Sequence, residues 1–287
     1  ADFSQENQDV AAYLEQATLF WADMGVNGIR HDATLHMDAA FAKGLKDAVD
    51  SHNTITQFGE FFIGRPDPKY DEYVYFPKQT GINNLDFEFY RTASTTFGDF
   101  STTMADFGNM LQYTQDDYDY ENQAVTFLDN HDVTRVASIL SNETHLPLIY
   151  AMCFGMPGIP CVYYGSEWGT RADKSQGDPA LRPCFEQPEW NELSEFISKL
   201  AEAKKNSEAL NYGSFRSVLL TNRQCIFERA SGHERVMVAI NADGAPFTAH
   251  FDAGCGMATD LITGQPHDFG GGSELPPYSA AFWKMER

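Results

Sequence analysis

Three short segments of this chain end an apolar run on residues able to move protons or attack carbon: Gly28-Ile29-Arg30-His31-Asp32, Phe58-Gly59-Glu60-Phe61-Phe62 and Phe127-Leu128-Asp129-Asn130-His131-Asp132. If the first is a strand, its period of two puts Arg30 and Asp32 on one face. A guanidinium beside a carboxylate favours the ionised form, which suits a nucleophile. A buried structural ion pair accounts for that motif about equally well on its own. Glu60 stands among aromatic residues, where a carboxyl group is poorly solvated and holds its proton, as a general acid must. Taken singly, a Glu after a strand is more often a solvated loop residue, and the polar run Asp129 to Asp132 reads as a turn or a helix cap. Together they put two carboxylates of opposed expected protonation, a third acid and a histidine at strand ends, the equipment for cleaving a glycosidic bond. No His-x-x-x-His pair or Cys cluster supports a zinc reading, and no strand ends in the Lys of an aldolase-type barrel.

The elements that position these residues alternate. Val10, Tyr13, Leu14, Ala17, Phe20, Trp21 and Met24 recur at helical spacing and predict an amphipathic helix over 9–24, ended by Gly25. Strands are predicted at Val26 to Asp32, Thr54 to Glu60, Leu85 to Tyr90, Val125 to Leu128 and Ile159 to Tyr164. Helices are predicted at Ala39 to Ser51, Arg91 to Tyr113, Leu146 to Phe154 and Trp190 to Lys205. Such alternation predicts a parallel sheet covered by helices, with chemistry at the carboxyl ends of the strands. Beyond Leu210 the pattern changes to short segments rich in Val, Ile, Phe and Thr: Ser214 to Leu220, Gln224 to Ala230, Arg235 to Asn241, Phe247 to Phe251 and Ala280 to Met285. These predict an antiparallel β-sandwich domain over 208–287, after a first domain over 1–207.

The 287 residues are 43% apolar and 14% aromatic, enough to bury a substantial core. Twenty basic residues against 41 acidic ones leave a net charge of -21, which argues against nucleic acid or an anionic membrane as a partner. The uncharged stretch Leu146 to Tyr164 is broken by Pro147, Pro157 and Pro160 with Gly155 and Gly158, unlike a lipid-exposed span. Five cysteines with no Cys-x-x-Cys pair predict buried free thiols, not a disulfide framework. The chain begins at Ala1 and reads as trimmed there, so it leaves a cytoplasmic and a secreted location equally open.

At the three strand ends the chain resembles the α-amylase family, glycoside hydrolase family 13. Arg30-His31-Asp32-Ala33-Thr34-Leu35-His36 resembles the family's Arg-x-Asp-Ala-x-x-His segment, Phe58-Gly59-Glu60 its Gly-Glu segment, and Phe127 to Asp132 its Asn-His-Asp segment, in the family's order. Asp2-Phe3-Ser4-Gln5-Glu6-Asn7 is similar to a stretch of the neopullulanase, cyclomaltodextrinase and oligoglucosidase branches. The resemblance implies the C-terminal part of a (β/α)8 TIM barrel, strands four to eight, followed by the β-sandwich. The early strands would come from the same polypeptide or from a second chain, because a five-stranded remnant leaves an open parallel edge. It implies Asp32 as nucleophile, Glu60 as acid and base, and Asp132 as the stabiliser that grips sugar hydroxyls. Arg30 would orient Asp32, and His131 would bond the sugar before the scissile link. Asp178 and Arg182 would form a donor-side clamp, alternatively an ion pair in a surface loop. Phe61 and Phe62 would stack on the acceptor sugar or pack under the barrel rim. His36 would shape the acceptor side, lend its carbonyl to a structural calcium, or serve as a cap-region histidine. No cofactor is implied for the chemistry. The implied activity is a retaining α-glucan hydrolase or transglycosylase on α-1,4 bonds of starch, maltodextrin or cyclodextrin, with Asp32 and Glu60 about 5–5.5 Å apart. A non-catalytic amylase-like partner subunit is the alternative, disfavoured by the presence of all three acids.

Overall fold

The computed structural model describes residues 3–99, 101–118 and 123–285; Asp2 of the opening motif lies outside them. Contacts divide the chain into two compact units, residues 1–88 with 118–125, and residues 89–117 with 126–287.

In the first unit α1 (Gln8–Asp23) starts where the Asn7 side chain accepts from the Asp9 and Val10 N–H groups, and the chain leaves it through Gly25 at φ +90°. The predicted helix is there, but much of its apolar side meets solvent: Tyr13, Phe20 and Trp21 are more than half exposed, and Ala22 is the buried residue. β1 (Gly28–His31) pairs in parallel with β2 (Thr56–Gly59), which pairs in parallel with β3 (Asn83–Asn84). Between β1 and β2 runs α2 (Ala39–His52), capped by the Asp38 side chain on the Phe41 N–H and burying Ala42, Leu45 and Val49. α3 (Tyr70–Thr80) follows β2 and packs Tyr73 and Phe76 against Phe61 and Ile63.

The strand predicted at Leu85 to Tyr90 does not form. Two residues of β3 and a parallel bridge from Leu85 to Val125 replace it, and α4 (Phe87–Phe97) begins at once. Leu85, Phe87 and Phe89 alternate like a strand, but Phe89, Ala93 and Phe97 are all fully buried at a spacing of four, and the helical period prevails. The single helix predicted over 91–113 is likewise two helices. α5 (Met104–Asp117) has its own start, where Asp106 accepts from the Thr103 N–H and Thr103 Oγ1 accepts from the Asp106 N–H.

β4 (Val125–Phe127) pairs with β5 (Ile159–Cys161). After the short α6 (Val136–Ile139), α7 (Leu146–Gly155) is buried from Leu148 to its end, so this uncharged stretch is a core helix. α8 (Asp178–Leu181), α9 (Glu192–Lys205) and α10 (Glu208–Tyr212) lead into the β region. There β6 (Ser214–Leu220), β7 (Gln224–Ala230), β8 (Arg235–Asn241), β10 (Met257–Asp260), β11 (Pro266–Asp268) and β13 (Ser279–Met285) form an antiparallel sheet in the order β11-β10-β13-β8-β7-β6. β9 (Phe247–Ala249) and β12 (Ser273–Leu275) form a separate ribbon. The second layer is therefore only two strands wide. The strands of the six-stranded sheet sort their faces by the period of two: Cys225, Phe227, Val238, Ile240 and Phe282 join the core of Phe154 and Leu210, while Ile226, Met237, Ala239 and Trp283 pack with Ala249 and Leu275. β10, β11 and β12 were not predicted, being three or four residues of mixed polarity.

All five cysteines are free. The buried-thiol expectation holds for Cys153 and Cys225; Cys161 and Cys184 are exposed and Cys255 is partly so. Among the described residues no helix is long and apolar enough to cross a membrane.

Two buried cations finish the carbonyl end of α7. Lys204 Nζ donates to Phe154 O (3.3 Å), Met156 O (2.9 Å) and Leu210 O (3.0 Å), and Arg229 donates to Gly155 O (3.2 Å) and Gly213 O (2.8 Å). Burial, reinforced by the Arg229 charge and opposed by Cys153, lowers the Lys204 pKa from 10.5 to about 7. The unfolded chain thus binds more protons than the folded one between these values, so this group's contribution to stability rises with pH from about 7 toward 10.5. Urea unfolding across that window is expected to show the rise in the wild type, and Lys204→Met to flatten it. An identical pH dependence in the variant would refute the assignment.

Candidate active site

Asp32 and Glu60 each lie one residue past the end of a strand, β1 and β2, and the register sets them side by side: His31 pairs with Gly59, and the Glu60 N–H donates to the His31 carbonyl at 2.9 Å. Arg30, from β1, reaches both. Its Nη1 donates to Asp32 Oδ1 at 2.5 Å, and its Nη2 contacts Glu60 Oε1 at 2.8 Å. The surroundings of the two acids differ. The Asp32 side chain is 76% exposed, whereas that of Glu60 is 9% exposed. The predicted pairing of Arg30 with Asp32 is present. The apolar surroundings expected for Glu60 include a guanidinium that the Arg30 sequence spacing did not assign to it.

Backbone detail fixes these positions. Ala33, just after Asp32, is left-handed at φ +48°, which turns the chain into a 3-10 turn at residues 34–36. The Thr34 N–H then donates to the Glu60 carbonyl at 3.0 Å. His31 is buried beneath, its Nε2 at 3.0 Å from Gln57 Oε1 of β2, and burial holds its pKa below the usual value, with Lys46 adding and Gln57 opposing.

The structure divides the two alternatives between Phe61 and Phe62. Phe61 is 3% exposed, its ring 5.4 Å from Phe76 and 5.9 Å from Tyr73, so it packs under the rim and offers no face to a sugar. Phe62 is 47% exposed and tilted over Phe87 at 4.2 Å, leaving it available. His36 is exposed at the end of the turn, and its carbonyl accepts from Gln5 Nε2 at 3.1 Å. Among the described residues no group of three or more His, Cys, Asp or Glu side chains is placed to hold a metal ion.

The second unit carries the remaining candidates. Asp132 accepts from Arg182 Nη2 at 2.8 Å through Oδ1, and its Oδ2 lies 3.0 Å from His131 Nε2. Arg182 Nε also donates to the His131 carbonyl at 3.3 Å, and Asp178 lies 3.6 Å from the Arg182 guanidinium. Arg182 therefore bonds Asp132 as well as lying beside Asp178, its expected partner in the clamp or ion pair. The Asn130 side chain accepts from the Asp132 N–H at 2.8 Å and turns the loop. Asp129 serves the framework: it is 2% exposed, accepts from the Val136 N–H and the Ser166 hydroxyl, and burial raises its pKa.

Sequence reasoning missed Arg135, Tyr163 and Tyr164. Arg135 is fully buried, with its guanidinium 4.1 Å from the Tyr163 ring centre. The signal was an Arg within an apolar segment three residues beyond Asp132, and a Tyr pair just past β5. Burial, with Tyr164 beside it, pushes the Tyr163 phenol up to about 12.

The chain thus presents a strand-end Arg-Asp-Glu cluster in the first unit and a His-Asp-Arg group in the second. The family model for the alpha amylase catalytic domain matches residues 1–213, and the chain belongs to the alpha-amylase family. It is 33% identical over 244 residues to a cyclomaltodextrin glucanotransferase of Thermoanaerobacterium thermosulfurigenes, an overlap of 84% of this chain and 33% of that protein. It is 34% identical over 265 residues to an alpha-amylase of Niallia circulans, covering 92% of this chain and 49% of that one. Among solved structures, a cyclomaltodextrin glucanotransferase with a three-domain ABC distribution superposes with a TM-score of 0.89 at 27% identity, covering 100% of this chain and 62% of its own. The chain thus spans about a third to a half of the length of the curated relatives it matches.

Proposed function

We propose that this chain carries the catalytic residues of a retaining enzyme acting on α-1,4-glucosidic bonds of starch, maltodextrin or cyclodextrin. The observation that supports it most is that Asp32 and Glu60 stand side by side past two paired strand ends, one carboxylate open to substrate and the other buried. Asp32 attacks the anomeric carbon while the bond to the leaving oxygen breaks and Glu60 delivers its proton to that oxygen. Glu60, now a carboxylate, takes a proton from water or a sugar hydroxyl, whose oxygen attacks the anomeric carbon and frees Asp32. Arg30 orients Asp32. Asp132 holds sugar hydroxyls as the ring flattens, with His131 and Arg182 shaping that contact and Asp178 and Phe62 lending further binding. Hydrolysis and transfer differ only in which hydroxyl takes the second step. The glucanotransferase relatives favour transfer as the second reading, and the alpha-amylase relative favours hydrolysis.

Residues 1–207 would serve as the catalytic part and 208–287 as the sandwich domain of such an enzyme. An apolar groove of about 490 Å³ lined by Leu14, Trp21, Ile29 and Phe41 lies beside the edge strand β1, and it supports the view that further barrel strands, from the same polypeptide or a second chain, cover it. The test is the anomer first released from maltodextrin, followed by proton NMR. The expected product is the α-anomer, and initial β-anomer would overturn the double displacement. A 2-deoxy-2-fluoro or 5-fluoro glucosyl fluoride is expected to label Asp32, located by peptide mass; a label on another acid would reassign the nucleophile.

A further inference from the structure

The Arg182 side chain is 44% exposed, and a long side chain of that kind gains little order from a surface ion pair alone. Its backbone, however, is tied down on both sides. The Leu181 carbonyl accepts from Arg135 Nη2 at 2.9 Å and from the Tyr163 hydroxyl at 3.3 Å, and the Pro183 carbonyl accepts from the Tyr164 hydroxyl at 3.0 Å. Three donors of one assembly thus fix the two carbonyls that flank Arg182. Arg135 is the centre of that assembly. Its Nη1 donates to the Tyr164 carbonyl at 2.7 Å and to Ser166 Oγ at 2.9 Å, and its guanidinium lies near both tyrosine rings, 4.1 and 5.3 Å from their centres. Ser166 in turn donates to the buried Asp129 carboxylate at 2.7 Å. Removing a buried guanidinium from water is costly. Here its fork is directed at loop carbonyls, and one of those carbonyls belongs to the residue that precedes Arg182.

We propose that Arg135, acting with Tyr163 and Tyr164, is a positioning residue that presents Arg182 to Asp132 and so governs how firmly Asp132 holds the sugar at the scissile bond. The proposal rests on the glycosidase reading above. None of the three needs to touch the sugar, since their effect passes through the backbone at residues 181 and 183.

Two variants test it. Arg135→Lys keeps the charge and loses the fork; Tyr164→Phe removes one hydroxyl and leaves the ring packing. Each is expected to lower kcat/KM about tenfold on maltoheptaose and on a short aryl maltoside alike, since Asp132 serves the scissile sugar of both. In an Arg182→Ala background neither should lower it further, because the route through Arg182 is already gone. Additive losses would overturn the proposal in favour of a general structural role. A crystal structure of Tyr164→Phe supplies an arm that needs no turnover: the Arg182 guanidinium should move out of hydrogen-bond reach of Asp132, and an unmoved pair overturns the positioning role. Wild-type protein silent on both substrates would count against the glycosidase reading instead, while the crystallographic arm still decides this one.

Discussion

Asp32→Asn is expected to lower kcat on maltodextrin by at least about a thousandfold, the scale seen when a covalent nucleophile is lost, while the thermal midpoint stays that of the wild type. Both halves follow from the position of the residue. Asp32 lies past the end of β1 with its side chain 76% exposed, and its interaction with the fold is the 2.5 Å contact from Arg30. An amide of the same shape still accepts from that guanidinium, and Arg30 keeps its 2.8 Å contact with Glu60. What the amide cannot do is form a stable bond to the anomeric carbon. Azide added to an Asp32→Gly variant should restore part of the activity and give a β-glycosyl azide, since an external anion then attacks from the face the carboxylate vacated. Near-wild-type turnover in Asp32→Asn, or rescue that yields the α-azide, would remove Asp32 from the chemistry.

The Arg30–Asp32 pair was legible from sequence because its geometry is local. Arg30 and Asp32 are two residues apart on one strand end, and a period of two is enough to predict that they meet. Glu60 was placed at a strand end for the same reason, but its contact with Arg30 depends on the parallel register of β1 with β2, which no periodicity within one strand reports. The same limit explains Phe61 and Phe62. Adjacent residues point to opposite sides, and sequence alone leaves open which side is buried; the packing of Tyr73 and Phe76 from α3 decides that it is Phe61. The error at Leu85 to Tyr90 has another origin, a run whose apolar residues satisfy both periods at once. Arg135 was missed because its partners lie 29, 31 and 46 residues further along the chain.

Gly59→Ala is the second substitution with a large expected effect, and it acts without removing any group that does chemistry. A Cβ at this position would lie 2.6 Å from Thr34 Cγ2 and 2.8 Å from Thr34 Oγ1. Neither partner has room to retreat. Gly59 sits in β2, where its carbonyl accepts from the Leu85 N–H at 2.9 Å and the next N–H, that of Glu60, donates to His31. Thr34 is fully buried, and its own N–H is bonded to the Glu60 carbonyl at 3.0 Å. The clash therefore has to be relieved by moving the peptide that carries Glu60, at the cost of about 1–3 kcal/mol typical of overpacking. A shift of that kind misplaces the proton donor, so kcat should fall at least about tenfold, given how steeply rate depends on placement. Thr34→Ala in the same chain removes both clashing atoms and leaves its Cβ 3.2 Å away, a contact tight by a few tenths of an ångström. The double variant should recover most of the lost stability and rate. If Gly59→Ala alone melts and turns over like the wild type, or if Thr34→Ala brings no recovery, then the contact between the turn after β1 and the end of β2 does not set the position of Glu60.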